Sequence, residues 1–480
     1  MSSSVHIAET RNLQALQALE NAIKRDLDLL NYPARDWVLS RESSKGQKIL
    51  DVIIIGGGQG GLASAFGLMR EKVKNILVID ENPEGREGPW LNFARMHTLR
   101  TPKHLTGPDL GLPNLTPRAW YEALFGKDEW DKMGLIPKEH WAEYLRWYRQ
   151  LLGIPVRNLT RAGAIEWNET EKCFSIPLTD LVLNTTEVAL ARKVVLATGI
   201  DGSGRWDVPA MITDKITRKH YAHTRDEIDF EQLKGKVIAV LGAGASAFDN
   251  ASVALETGAK QVHLFYRRGD LPNINAYRWA EFVGFLKHHS DLPDKMKWRF
   301  IRQILKMGQL PPTDTFARAT RNPNFLLHGN NKWNDIEQEN GHVKILSNTG
   351  EFNVDYIIVG TGCVTDLSLR PELENVVDKI ALWKDRFTPP ENERNDDMLR
   401  HPYLGSHCEF TEKNPGEAPY LASIFNFTFG GLVSIGFGGA SISGMKYSIQ
   451  KLVNGITKQL YLEDAEAFYQ SLEEFDLREF

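Results

Sequence analysis

Two stretches of this chain constrain its fold more than anything else in it. DVIIIGGGQGG (Asp51 to Gly61) and VIAVLGAGASAFD (Val237 to Asp249) each run an apolar, largely β-branched stem into a glycine turn and then into small residues. A stem of that kind reads as a fully buried parallel strand, and the residues after the turn begin a helix packed closely on it. In the first stretch Gly56, Gly58 and Gly61 stand at G-x-G-x-x-G spacing, with Gln59 and Gly60 between them. The first glycine permits the tight turn, the second lets a pyrophosphate approach the backbone, and the third lets helix and strand close up. The helix N-terminus then presents free N–H groups and a partial positive charge to phosphate. The next strand, NILVID, ends on Asp80 with Glu81 beside it, where an acid grips a ribose 2′-hydroxyl.

In the second stretch Gly242, Gly244 and Ala247 give the G-x-G-x-x-A variant, enclosing Ala245 and Ser246. Its next strand, QVHLFYRR, ends on Arg267 and Arg268 instead of an acid. A guanidinium pairs in forked geometry with a 2′-phosphate that an acid would repel. NADPH is therefore expected here in preference to NADH, and which of the two arginines meets the phosphate stays open. One site with an acid and one with arginines imply two different nucleotides. FAD is the usual hydride acceptor in an N-terminal fold of the first type.

The expected fold class is α/β, with two Rossmann-like dinucleotide-binding domains and an N-terminal helical extension. An FAD domain (49–205 and 346–480) holds an inserted NADPH domain (206–345), which carries a helical aromatic insertion at about 275–310. Two further strands, KVVLATG and EFNVDYIIVGTG, share a pattern and end in T-G at Thr198–Gly199 and Thr361–Gly362. In the extension (1–48), leucines and isoleucines from Leu13 to Leu30 recur at helical steps, as a dimer clasp or as a helix packed on the body of the protein.

The totals exclude several classes. A net charge of −5 over 480 residues leaves no basic footprint for nucleic acid and no polybasic membrane patch. Cys173, Cys363 and Cys408 form no C-x-x-C, which argues against a disulfide framework, a zinc site and a dithiol relay. No metal is expected. Ala418 to Met445 has no charged side chain, but its six glycines, four serines, Asn426 and Thr428 suit a buried, turn-rich segment beside a cofactor. Residues 1–30 carry Glu9, Glu20, Asp26 and Asp28 and make no secretory signal, so a soluble cytoplasmic protein is expected.

From about residue 50 to 460 the chain resembles the class B flavoprotein monooxygenases, which comprise flavin-containing, N-hydroxylating and Baeyer–Villiger enzymes. The resemblance rests on GGGQGG, Asp80, GPW (88–90), LRTPKHLTGPDLGLP (99–113), the Trp141–Trp147 helix, ATG (197–199), HYAHT (220–224) before GAGASA, and VGTG (359–362). It implies that Gly88 and Trp90 lie beside the flavin and that Leu99, Thr101, Pro102 and Lys103 lie near the isoalloxazine. Ser443 would open a last helix whose N-terminus faces the flavin pyrimidine. The implied chemistry is reduction by NADPH, oxygen addition at flavin C4a, and transfer of one oxygen atom from O2 to a small substrate. Where the family's F-x-G-x-x-x-H fingerprint has phenylalanine and glycine ahead of the histidine, this chain has Thr217 and Lys219 before His223. That favours N- or S-oxygenation over Baeyer–Villiger chemistry. Lys103 and His223 are the catalytic candidates, and His223 reads equally as an NADPH-orienting residue or a linker residue between domains. Two other readings stay open: a reductase or oxidase that passes electrons to another acceptor, and a flavin-loaded redox sensor or scaffold. The substrate, its regiochemistry and any homo-oligomer are not specified by these residues.

Overall fold

A computed structural model of the chain describes residues 11–30, 35–105, 107–339, 341–439 and 441–480. Residues 1–10 and 31–34 of the extension, Thr106 in the 99–113 loop and Ala440 ahead of the helix Ile442–Glu463 lie outside the described residues. Helix α1 (Leu13–Leu30) follows the expected period and turns Leu16, Leu19, Ile23 and Leu27 onto the main core. The packing role of the extension is thus the one the structure displays.

The first βαβ unit is β1 (Lys48–Ile55), α2 (Gln59–Arg70) and β2 (Ile76–Ile79), with Val52 opposite Ile76 through to Ile55 opposite Ile79. Helix α3 (Lys138–Leu152) and strands β3 (Val156–Arg157), β4 (Cys173–Asp180) and β5 (Thr185–Leu196) extend it into a sheet whose central order is β3-β2-β1-β5-β4. Val52, Ile53 and Ile54 are fully buried, because both faces of this strand are covered.

The second sheet contains β6 (Tyr221–His223), β7 (Val237–Leu241), β8 (Gln261–Phe265), β9 (Phe325–His328) and β10 (Tyr356–Val359). Helix α4 (Ala245–Thr257) crosses between β7 and β8, and the all-parallel order is β6-β10-β7-β8-β9. This topology corrects the expected boundary at 345/346. The strand β10 is hydrogen-bonded between β6 and β7, so the second domain runs to Val359. The chain leaves and re-enters the first domain through one antiparallel pair, Gly204–Trp206 against Cys363–Thr365. The two T-G strand ends are alike because each closes beneath a glycine turn, one per domain; a local pattern does not reveal which sheet a strand joins.

The insertion contains Ala276–Ala280, Val283–His288 and α5 (Asp294–Met307), followed by α6 (Thr313–Thr320). Its Phe285, Trp298 and Ile301 pack against Trp383, Leu432 and Phe437, which belong to the C-terminal half of the first domain. The insertion therefore ties the two domains together. The uncharged segment is buried and broken by turns. It contributes β11 (Ile424–Asn426), parallel to β5, and leads into α7 (Ile442–Glu463). Helices α7 and α2 pack so closely that a Cβ at Gly67 would lie 2.8 Å from Val453. Among the described residues no helix is long and apolar enough to cross a membrane.

Candidate functional site

The first glycine turn is pinned by its neighbours. Gly56 has φ +112°, and a Cβ there would lie 2.5 Å from the Ala197 carbonyl oxygen, so only glycine fits. A Cβ at Gly61 would come within 1.8 Å of the Gly56 oxygen. Gly58, in contrast, meets only the Gly88 backbone, at 3.8 Å, and forms the N-cap of α2 with no side-chain hydrogen bond. The leading N–H groups of α2 are left for an anion.

Asp80 is buried and holds this turn directly. Its Oδ2 accepts from Gly57 N at 2.8 Å, and its Oδ1 accepts from Asn82 N at 2.8 Å and Asn82 Nδ2 at 2.9 Å. A carboxylate has about four acceptor positions, so Asp80 keeps one for a ligand hydroxyl. Glu81 faces away and pairs with Arg161 at 3.0 Å on the surface. Gln59 accepts from Trp141 Nε1 of α3 at 3.2 Å, and Gly60 lies beneath Phe427. Trp90 shares an opening with Gly57, Gly58 and Leu62.

Three buried polar groups in this region have no hydrogen-bond partner: Trp90 Nε1, Thr198 Oγ1 and Asn426 Nδ2. Thr198 follows the Ala197 that pins Gly56, and Asn426 pairs in register with Leu196 at the end of β5. An open glycine edge, an uncapped helix and orphaned polar groups together fit a polar dinucleotide such as FAD. Gly199 (φ +66°) and Gly362 (φ +86°) each have an open face. Ser443 lies in the first turn of α7, bonded to Ser441 Oγ at 2.9 Å, and this N-terminus also lacks a side-chain cap.

Lys103 is engaged by backbone carbonyls. Its ammonium donates to the carbonyls of Trp130 at 2.5 Å and Met133 at 2.6 Å, and lies 5.2 Å from the centre of the Trp130 ring. It caps the C-terminal end of the short helix Lys127–Lys132, where a cation satisfies orphan carbonyls. Thr101, in the same loop, is half-buried.

The second turn repeats the first. Gly242 has φ +114°, and a Cβ there would lie 2.3 Å from the Gly360 carbonyl oxygen. Gly360 in turn presses on Ala247, where a Cβ would meet the alanine methyl at 2.8 Å. Gly244 is open on all sides and caps α4 without a side-chain bond; Ala245 is buried and Ser246 exposed. Leu241 pairs with Phe265 as Ile55 pairs with Ile79, so Tyr266 occupies the place of Asp80. The two arginines that follow differ. Arg268 lies against the end of α5, with Nη1 3.5 Å from the Lys306 carbonyl and close to Gly308. Arg267 is exposed and has no described hydrogen bond or ion pair.

Between the turns, the segment from Phe93 to Arg100 meets the second domain. Arg225 lies 4.3 Å from the centre of the Phe93 ring, and Arg95 donates to the Asp226 carbonyl at 3.0 Å. Arg100 pairs with Asp249 of α4 at 2.9 Å, 149 residues along the chain. Burial holds Arg95 and Lys138 below their usual basicity, so this seam is rich in desolvated cations. Tyr277 stacks on Phe437 at 4.9 Å near Arg100; burial raises its phenol pKa and Arg100 lowers it. Trp279 and Phe282 remain about half exposed at the edge of the insertion. The sequence pattern offers Tyr277 only as one aromatic of the insertion that could roof the pocket, and does not point to Asp249. The only local signal is a buried Asp249–Asn250 pair in a helix of small apolar residues.

His223 lies at the crossing strands. Its Nδ1 accepts from Arg225 N at 3.1 Å, placing the neutral ring's proton on Nε2, which is buried near the Gly362 backbone without a hydrogen-bond partner. Burial holds the imidazole below the ordinary histidine range, and Trp206 packs on it at 5.2 Å.

Comparison with known proteins places this architecture. Residues 50–283 match the family model described as pyridine nucleotide-disulphide oxidoreductase. A protein from Xanthomonas campestris pv. campestris named FAD-dependent urate hydroxylase is 41% identical over 466 residues, covering 97% of each chain. Among solved structures, the reduced form of an ornithine hydroxylase from Pseudomonas aeruginosa superposes with a TM-score of 0.66 at 13% identity, over 86% of this chain and all of that one. An L-lysine 6-monooxygenase from Pseudomonas syringae gives 0.62 at 15% identity, over 85% and 99% of the two chains. At such identities the likeness to these two structures is one of fold.

Proposed function

The chain belongs to the FAD-dependent hydroxylases of the class B monooxygenase type, and from that premise we propose that its substrate is urate or a similarly planar, oxidised purine. The observation that carries this reading is the 41% identity to a urate hydroxylase along 97% of both chains. The geometry supports it with two complete nucleotide cradles joined by a seam of cations. FAD would occupy the turn at Gly56–Gly61, and when bound it supplies two-electron reduction and activation of O2. The chain's own part is to hold that group and exclude water from it. Gly58 admits the pyrophosphate, Asp80 offers its remaining acceptor position to a ribose hydroxyl, and Thr198 and Trp90 offer unpaired polar groups. Trp141 and Phe427 cover the turn.

NADPH would occupy the turn at Gly242–Ala247, with the free guanidinium of Arg267 on its 2′-phosphate and Arg268 held aside by α5. An oxidised purine is an electron-rich ring that takes an oxygen atom as a nucleophile, as an amine or sulfide does, and its anion suits the desolvated Arg95 and Lys138 at the seam. This reading replaces amines and sulfides as the favoured substrates. In the test, purified flavin-loaded protein is supplied with NADPH and air, and urate loss is followed by its ultraviolet absorbance. Urate-dependent consumption of NADPH and O2 in equal amounts is the expected result. NADPH oxidation that yields only peroxide, with urate untouched and simple amines or sulfides converted instead, would return N- or S-oxygenation to first place.

A further inference from the structure

We propose that Arg100 and Asp249 are positioning residues: a part-buried interdomain pair that sets the second cradle helix over the first domain's flavin-side loop. The proposal rests on the reading that a nicotinamide in the second cradle reduces a flavin in the first. Arg100 lies in the loop after β2, whereas Asp249 lies on α4, five residues beyond the Gly244 that caps it. At 1.5 Å per residue, Asp249 sits roughly 7 Å along the helix from the phosphate-binding end.

The Asp249 side chain is 3% exposed and is held from two domains at once. Its Oδ2 accepts from Arg100 Nη2 at 2.9 Å. Its Oδ1 accepts from Thr315 Oγ1 of α6 at 3.1 Å, with Arg318 Nη1 3.8 Å away. Arg100 Nε is buried without a partner, so the Asp249 contact is the only described hydrogen bond of this guanidinium. Asp249 is thus a fixed post within the second domain, braced by α6, and Arg100 is the arm by which the first domain holds it. An ion pair with a buried carboxylate and a half-buried guanidinium adds little net stability, because desolvation offsets its attraction; its effect is geometric. Geometry is what hydride transfer requires. Two electrons and one proton pass together from reduced nicotinamide to flavin, and a misplacement of about 1 Å can cost about a hundredfold in rate. The neighbouring contacts, Arg95 to the Asp226 carbonyl and Arg225 to Phe93, engage the loop after β6, whereas Arg100 reaches α4.

The test uses the flavin-loaded full chain and three variants: Arg100→Gln, Arg100→Lys and Asp249→Asn. Under anaerobic stopped flow with saturating NADPH, Arg100→Gln and Asp249→Asn should each slow flavin bleaching at least tenfold. Arg100→Lys should recover part of the rate, and the double variant should be no slower than either single one. NADP+ affinity should stay within threefold, flavin content should be unchanged, and KM for substrate should not move. In nucleotide-free protein, amide hydrogen exchange across Ala245–Thr257 should quicken in both single variants. A bleaching rate per flavin within twofold of wild type overturns the proposal, whether thermal stability falls or the substrate KM rises instead. If wild type is bleached by neither NADPH nor NADH, the functional reading fails. The exchange measurement then still decides whether the pair fixes the helix.

Discussion

The two glycine turns are near-copies in backbone and opposites in side-chain chemistry. In each, a glycine with φ above +110° lies against a carbonyl from a neighbouring strand end: Ala197 for Gly56, Gly360 for Gly242. In each, an uncapped glycine opens the cradle helix. They part at the end of the next strand. There Asp80 closes back on its own turn through Gly57, whereas Tyr266 leaves its turn alone and presents Arg267 to solvent. A cradle braced by its own acid suits a resident group, and one with a free guanidinium at its rim suits a phosphate that comes and goes.

The largest test of that contrast is Gly56→Ala set against Gly242→Ala. Each adds a Cβ that collides with a carbonyl in a left-handed backbone, at a cost of about 3 kcal/mol, about a hundredfold in binding. Gly56→Ala should abolish retention of the yellow cofactor through gel filtration. Gly242→Ala should keep the colour and lose NADPH binding by titration; identical behaviour in both variants would break the contrast. Next comes Asp80→Ala, which strands the buried Gly57 N–H at about 2 kcal/mol and should weaken FAD affinity about thirtyfold by fluorescence titration. Tyr266→Phe, its counterpart, should leave NADPH affinity within twofold.

Smaller again is Arg267→Ala, which should reduce the preference for NADPH over NADH about tenfold in kcat/KM. Arg268→Ala should change that preference less than twofold, and equal effects would remove the distinction drawn between the two arginines. The smallest effect concerns the base of the first sheet. Burial lifts the Asp51 carboxyl to about 6, against the opposing pull of Arg192. An acid whose pKa rises on folding stabilises the fold while protonated, and that stability is lost as pH climbs through about 6. Arg192 retains Glu463 and Asp464 at 3.0 and 2.9 Å, so it is not left unpaired when Asp51 is neutralised. Asp51→Asn should therefore raise Tm at pH 8 and converge with wild type near pH 4.

Much of this was legible in the residues. Both βαβ units, the α1 packing stripe and the buried character of Ala418–Met445 follow from local periodicity and from where glycines stand. Lys103 and Arg268 were not legible as they are. Each is a basic residue at a loop or strand end, and only the folded chain shows a helix C-terminus within reach of each, at Trp130–Met133 and at Lys306. The strand Tyr356–Val359 had the right type and the wrong sheet, because hydrophobic patterning specifies burial on both faces and not the neighbour that provides it.

By itself, then, the sequence determined the two turns, the acid at one and the arginines at the other, because turn geometry and helix capping depend on residues only a few positions apart. Tertiary structure alone decided that Asp80 braces its own turn, that only Arg267 stands free, and that Arg100 reaches Asp249 across 149 residues. Those outcomes depend on how separate elements pack, and a contact between distant segments leaves no trace in the local pattern of either.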